Sequence, residues 1–470
     1  MSVIVSTNHN KIESTCTDYI EKNKTLFVID ATLAQGMLNL TTGAFLSAYA
    51  LYLGASYVAI GILGALMPLS QILQVPSTLL IERYQKRKTI AVFALTISRI
   101  AILLCGFLPF IFTNNHIFSI FFLLYLTYVT AGNIGGCAFG TWFRDSFNPD
   151  TFYHVLTQRF IYATLMGAIV SFIGAFGLEF IKHNFSSYLS FGYASIFTFA
   201  GVLGLGSSIA LFNIYDFNKP SFHTLINTSS QQTLISLFRE PIKNKVFLKV
   251  MIFCVIWNTI VNFANPFLPV FLMKKIGYSL LIVVCLTVIN QFSNVVSFSF
   301  WRKFSLRYGY RPLLYFCVPL FFSTVFLWFL GAELRNPQLQ WYVILILHIL
   351  SGASVAGINL CLTNLIFLSS PQGKATAHLA LNSSLNGLVA GITPILAGLV
   401  ASFGKITDIP MKPTFNIFQP IVMLFNNQIE ITGLDLVMII TGIIGIFSAI
   451  AIRYLIPNYL PELEVSTPKE

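Results

Sequence analysis

From Ala31 to Ile81 the chain runs 51 residues without an Asp, Glu, Lys or Arg. As a single helix, at ~1.5 Å per residue, that stretch would reach about 76 Å, more than twice the ~30 Å hydrocarbon core of a bilayer. It must therefore turn back once, and "LYLGASYV" (51–58) is the place where small and polar residues allow it. The charges that end the stretch are crowded into "IERYQKRKTI" (81–90). A second apolar run follows at once, because Arg99 is the only such residue between Thr89 and Phe143. Mean hydropathy is +0.76 and 10% of residues are charged, whereas soluble domains carry roughly a quarter. Too little charge exists to cover a water-soluble globule, so the chain is expected to be an integral membrane protein.

The hydropathy pattern predicts twelve spans, near 26–50, 57–81, 89–112, 116–141, 154–181 and 189–213, then 247–272, 279–301, 312–332, 340–368, 375–402 and 435–457. They divide the chain into a tail (1–25), a six-helix bundle (26–213), a polar linker (214–246), a second six-helix bundle (247–457) and a tail (458–470). With the N-terminus inside, the inner segments hold 21 of the 28 basic residues, the outer segments hold six, and Arg99 lies in a span. That asymmetry is the positive-inside pattern and places both termini in the cytoplasm. It also accounts for the net charge of +11, so nucleic acid is not expected as a partner. The first 25 residues are polar and mixed in charge, and predict no removable signal peptide. Six of the seven Cys fall in spans, without a C-x-x-C pair, and read as small buried hydrophobes.

The two halves share a layout. Basic clusters separate the second and third spans of each, "ERYQKRK" (82–88) and "WRKFSLRYGYR" (301–311). Aligning Arg83 with Arg307, an offset of 224 residues, carries the start of span 1 close to the start of span 7. Secondary transporters are commonly built from such repeats. The charged stretch at 81–90 is thus the inner turn between spans 2 and 3.

That turn resembles a signature of the major facilitator superfamily, G-x-x-x-D-R-x-G-R-[RK]-[RK]. In "TLLIERYQKRK", Glu82 stands at the acidic place, Arg83 at the Arg, and Lys86, Arg87 and Lys88 at the basic run, while Thr78 and Gln85 replace the glycines. The second copy keeps Arg307, Gly309 and Arg311, with Leu306 at the acidic place. The chain is also similar to a bacterial branch of that superfamily with largely unassigned substrates, at "LTISRIAILL" (95–104), "TWFRDSFNP" (141–149) and "FANPFLPVFLMKKIGYS" (263–279). The resemblance implies an all-α membrane fold, two six-helix bundles about a pseudo-twofold axis, residing in the bacterial plasma membrane. It implies rocker-switch alternating access that moves a small-molecule solute, with a coupling proton or cation, by a monomer surrounded by membrane lipids.

Opposite charges at the inner ends of spans 2 to 5 predict a gate made of Glu82, Arg83, Arg87, Lys88, Asp145 and Arg159, beside Trp142 and Arg144. Glu82 suits the free N–H groups at the start of a helix, where the dipole favours an anion; the resemblance points to the start of span 11, near Lys374–Thr376. The alternative is that the basic residues only set topology.

Arg99 lies about 15 Å into span 3, near the middle of the hydrocarbon, and must face the protein interior or a wet cavity. It reads either as an anchor bonded to Gln71, Gln74 or Tyr128, or as a ligand for an anionic or carbonyl-bearing solute. Amides supply the other polarity. Gln35 and Asn39, Asn290 and Asn294, and Asn382 and Asn386 recur at four-residue spacing, and Asn258, Asn262 and Asn265 form an i, i+4, i+7 stripe, so each set shares a helical face. The expected solute site is a mostly uncharged cavity using Gln35, Asn39, Gln71, Arg99, Asn258, Asn262, Asn290 and Asn386. The alternative role for such amides is to hold helices together.

Titratable groups within spans are few: Asp30, Glu179, His348 and His378. The resembling proton-antiporter branches carry an Arg where Tyr128 stands and a proline that "GAIVSFIGAFG" (167–177) lacks. No P-loop, H-E-x-x-H, G-x-S-x-G or paired metal-ligand set occurs, so neither enzyme activity nor a cofactor is expected. The different-class alternative is a transporter-fold sensor or lipid flippase.

Overall fold

A computed structural model describes residues 2–74, 76–77, 81, 84, 86–111, 117–147, 149–216, 241–369, 375–410, 425 and 428–456. In chain order the helices are α1 (Ser2–Thr41), α2 (Gly43–Tyr52), α3 (Tyr57–Ser70), α4 (Arg87–Ile111), α5 (Ile117–Asp145), α6 (Pro149–Asn184) and α7 (Leu189–Phe212). These are followed by α8 (Lys245–Ala264), α9 (Leu280–Tyr308), α10 (Tyr310–Ala332), α11 (Pro337–Ser369) and α12 (Ala375–Ala401). A short hairpin of β1 (Lys405–Pro410) and β2 (Gln428–Thr432) leads into α13 (Gly433–Leu455). Among the described residues ten helices are long and apolar enough to cross a membrane. Two shorter apolar helices, Gly43–Tyr52 and Tyr57–Leu73, lie where the first two predicted spans fall.

The first span is interrupted because its sequence invites it. Thr41 and Thr42 turn their hydroxyls back to the carbonyls of Met37 and Leu38, and Gly43 takes φ +57, a conformation that a side chain disfavours. The reversal at 51–58 closes as its residues suggest. Gly54 has φ +79, and Ser56 caps α3 by accepting from the Ala59 N–H at 3.2 Å.

Contacts group the chain into two compact units, Met1–Gly54 with Leu73–Ser229, and Ala55–Ile72 with Ser230–Glu470. In the first, α4 packs on α5 and α7, and α1 packs on α6 and α7. The second repeats that scheme six spans later, with α10 on α11 and α13, and α8 on α12 and α13. Helix α3 departs from the pattern by packing in the second unit, along α12.

Close crossings in both units depend on glycine. A Cβ at Gly201 of α7 would lie 2.5 Å from the Cα of Leu103 on α4, and one at Gly442 of α13 would lie 2.6 Å from Phe326 of α10. Outward faces are apolar, as on α6, where Phe160, Leu165, Ile169, Phe172, Ile173 and Phe176 are all exposed. Such a surface suits hydrocarbon and not water.

At one end of the first unit Phe27 is fully buried, with the rings of Phe143, Trp142, Phe147 and Phe139 at 4.9, 5.3, 5.5 and 6.0 Å. The hairpin of the second unit is antiparallel, pairing Thr407 with Ile431 and Ile409 with Ile429, with an irregularity between Lys405 and Thr407. No strand is expected there from hydropathy. Ile429 and Ile431 of "QIEIT" carry a short period-2 signal, whereas Ile406 and Ile409 of "KITDIP" are three residues apart and give none.

Candidate functional site

In the second unit the amides of α8 and α12 form one connected chain. Asn258 Nδ2 donates to Asn386 Oδ1 at 3.1 Å, and Asn386 Nδ2 donates to Asn382 Oδ1 at 2.9 Å. Asn258 Nδ2 also reaches the Cys254 carbonyl at 2.9 Å, and Asn262 Nδ2 donates to the Asn258 carbonyl at 2.8 Å. All four side chains are half-buried. Each carboxamide offers two donor hydrogens and an acceptor oxygen, so this wiring leaves open capacity at Asn382 Nδ2, Asn258 Oδ1 and Asn262 Oδ1. A row of neutral donors and acceptors can exchange hydrogen bonds with hydroxyl or amide groups of a solute without neutralising a charge.

The first unit holds a smaller pair. Gln35 Nε2 donates to Asn39 Oδ1 at 2.7 Å. The pair lies against Gly167 of α6, where a Cβ would come within 2.5 Å of Asn39 Nδ2.

Two other sequence candidates are placed elsewhere. Asn290 on α9 donates to the His348 carbonyl at 2.9 Å and to Ser351 Oγ at 2.6 Å, both on α11, and so spends its donors joining two helices. Gln71, just past α3, sits against Gly387 of α12, where a Cβ would lie 3.4 Å from its Oε1.

Arg99 is 3% exposed and bonds to Ser208 Oγ on α7 at 2.7 Å and to Asp30 Oδ1 on α1 at 3.5 Å. Its bonded partners are therefore neither Gln71, Gln74 nor Tyr128. Arg159 on α6 joins the same carboxylate, with both terminal nitrogens 3.2 Å from Asp30 Oδ2. Arg159 also donates to the Phe27 carbonyl and lies over the rings of Phe143 and Phe139 at 4.7 and 4.9 Å. Ser207 donates to Asp30 Oδ1 at 2.5 Å. One carboxylate thus ties α1 to α4, α6 and α7. Asp30, Ser207 and Ser208 are absent from the sequence-predicted set; the available signal was charge matching, since Asp30 is the one acid in the first span.

The expected single gate cluster divides. Arg87 pairs with Asp145 near the surface, whereas Arg159 turns inward to Asp30. Lys88 Nζ reaches the Ile214 carbonyl at 2.6 Å, Trp142 Nε1 reaches Asp216 Oδ1 at 3.2 Å, and Asn23 holds the Tyr215 backbone by bonds of 2.8 and 2.9 Å. Three helices therefore grip the chain just after α7. Glu82, Arg83 and Lys374, on which the proposed latch depends, lie outside the described residues.

Helix α3 meets α12 at backbone distance. A Cβ at Gly61 would collide with the Pro394 carbonyl, one at Gly391 with the Leu69 side chain, and one at Gly398 would lie 2.8 Å from the Tyr57 carbonyl. A Cβ at Gly64 would lie 2.7 Å from Pro266 Cγ, where α8 gives way to a 3-10 turn (Asn265–Phe267), an α-turn (Leu268–Phe271) and a π-turn (Leu272–Ile276). Lys275 of that π-turn bonds Glu333 Oε1 at 2.9 Å, Asp435 Oδ2 at 3.0 Å and the Glu430 carbonyl at 2.6 Å. The irregular end of this helix is thereby fixed to the ends of α10, β2 and α13.

The sequence pattern of the Major Facilitator Superfamily matches residues 31–394. No curated protein matches the chain in sequence. Among solved structures, a mutant of the nucleoside transporter NupG is 14% identical with a TM-score of 0.69, over 93% of this chain and 100% of that one. A D-xylose-proton symporter is 13% identical with a TM-score of 0.65, over 94% of this chain and 98% of the other. A bacterial homolog of the human lysosomal transporter Spinster, inward-facing and occupied, is 14% identical with a TM-score of 0.62, over 94% and 97%. At these identities the likeness concerns the fold.

Proposed function

The chain belongs to the Major Facilitator Superfamily, and we propose that it is a secondary transporter moving a small, neutral, polar or amphipathic solute across the plasma membrane by alternating access. The observation that carries this reading is the bond between Asn258 and Asn386, which joins the amides of α8 and α12 into one half-buried chain. Similarly folded proteins named for nucleosides and for D-xylose have substrates rich in hydroxyl groups, the chemistry such amides would recognise. Interhelical hydrogen bonds in membranes average only ~0.6 kcal/mol. Four asparagines sharing one chain are more than helix association requires, and their open donor and acceptors favour a ligand.

Arg99 and Arg159 are assigned to holding the first unit together through Asp30, and Asn290 to joining α9 and α11. Gln35, Asn39 and Gln71 remain in the proposed solute set with Asn258, Asn262 and Asn386. For the gate we assign Arg87, Lys88 and Asp145, with Glu82 and Arg83 of the same turn.

The test is uptake of a panel of neutral polyhydroxy and amide-bearing solutes into proteoliposomes, with and without imposed proton or sodium gradients. One solute should accumulate in vesicles containing the chain and not in those containing Asn386→Leu. Binding without any uptake would favour a sensor instead.

A further inference from the structure

Among the described residues, one end of the second unit carries a cluster of cations with no carboxylate paired to it. Arg302, Lys303 and Arg307 occupy the last turns of α9, Arg311 the first turn of α10, and Arg453 the last turn of α13. Gly309, with φ +88, makes the α9–α10 turn tight enough to put Arg307 and Arg311 on either side of it. Arg311 Nη2 donates to the Arg453 carbonyl at 2.7 Å, so the α10 and α13 ends meet. Among the described residues, no carboxylate pairs with any of these five side chains, and Arg311 Nε is buried without a hydrogen-bond partner.

The corresponding end of the first unit is different. There Arg87 has Asp145, Arg159 has Asp30 and Lys88 has the Ile214 carbonyl. The sequence explains the contrast, because no Asp or Glu occurs between Glu240 and Glu333.

Aromatic rings set the depth of this cluster. The Arg307 guanidinium lies 5.3 Å from the Tyr308 ring and that of Arg311 lies 5.9 Å from the Tyr315 ring. Tyr308, Tyr315 and Tyr454 are all exposed, at the ends of helices long enough to span. Tyrosines in that position sit at headgroup level. Guanidinium forks match phosphate oxygens geometrically and remain charged. Basic pockets between helix ends are a known physical basis for holding acidic headgroups.

We propose that the junction of α9, α10 and α13 binds the phosphate headgroup of an anionic phospholipid, with Arg307, Arg311 and Arg453 as its principal contacts. The lipid supplies the counter-charge that the first unit takes from Asp30 and Asp145, and it fastens the second unit to its leaflet. A soluble phosphate offers the same anion but not the acyl chains that the surrounding apolar helix faces would cover.

The experiment compares phosphatidylglycerol with phosphatidylcholine on the full chain, by native mass spectrometry and by unfolding temperature in nanodiscs. Each basic residue near an anionic surface contributes about fivefold in affinity, so Arg307→Gln/Arg453→Gln should lose roughly 30-fold in phosphatidylglycerol retention. Both residues are exposed, so the variant should fold. Lys24→Gln/Arg87→Gln removes the same charge from residues already paired with Glu21 and Asp145, and should retain the lipid. Equal losses in the two variants, or equal retention of phosphatidylcholine by the parent chain, would overturn the proposal. So would replacement of the lipid effect by inorganic phosphate. Retention of phosphatidylglycerol by Glu462→Gln/Glu464→Gln, with none by the parent chain, would assign the cluster to the chain's own tail and overturn it as well.

Discussion

Asp30 Oδ2 receives both terminal nitrogens of Arg159 at 3.2 Å, while its other oxygen faces Arg99 at 3.5 Å. Arg99 lies near the middle of α4, a helix long and apolar enough to span, and at the centre of a spanning helix an arginine costs at least ~2.5–3.5 kcal/mol. The pairing with Asp30, the hydroxyl of Ser208 and the aromatic floor under Arg159 explain how the fold tolerates two such groups together. The arrangement joins four helices of one unit through a carboxylate that is 3% exposed.

Removal of that carboxylate should be costly where removal of a superficial one is not. Breaking a buried pair costs about 3–5 kcal/mol because it strands the partner charge, whereas exposed pairs contribute ~0–1 kcal/mol. Asp30→Asn should therefore destabilise strongly in detergent unfolding curves. Asp145→Asn, whose side chain is 56% exposed, should change stability by less than about 1 kcal/mol. The double variant Asp30→Asn/Arg159→Gln should be milder than the sum of its single changes, as coupled partners are. Equal stability of Asp30→Asn and Asp145→Asn would show that the knot holds nothing.

The α3–α12 contact makes a separate prediction. Gly61→Ala puts a methyl group against the Pro394 carbonyl, backbone that cannot swing aside. Overpacking of this kind costs typically ~1–3 kcal/mol, and it should push the helices apart and lower the uptake rate severalfold. Gly140→Ala is the matched control, because a Cβ there meets nothing within 4 Å. Unchanged uptake and stability in Gly61→Ala would mean that this contact is dispensable.

Hydropathy carried the helical architecture well because backbone in lipid must be helical, while the basic turns and the 224-residue offset speak to the layout of the two halves. The break at Thr42–Gly43 and the β1–β2 hairpin are less legible. One depends on a single residue's φ, and the other on a period-2 pattern only a few residues long. Spacing on a helix puts Asn258 beside Asn262 and Asn382 beside Asn386, but it is silent on which helix faces which. Hence Asn290 and Asn386 look alike in sequence, although one bonds to α11 and the other to Asn258. Depth alone likewise suggested Gln71 and Tyr128 as partners for Arg99, where opposite charge pointed to Asp30.

The central claim is that the amide chain between α8 and α12 binds the solute, and affinity measured on correctly inserted protein tests it most directly. The measurement compares equilibrium binding of the transported solute to the parent chain, Asn386→Leu and Asn290→Leu. Loss of a partner from a buried hydrogen bond costs about 1–3 kcal/mol, so Asn386→Leu should bind roughly 5- to 150-fold more weakly. Asn290→Leu should lower stability while leaving affinity unchanged, since its donors serve His348 and Ser351. Normal affinity in Asn386→Leu, with weakened binding in Asn290→Leu, would contradict the account.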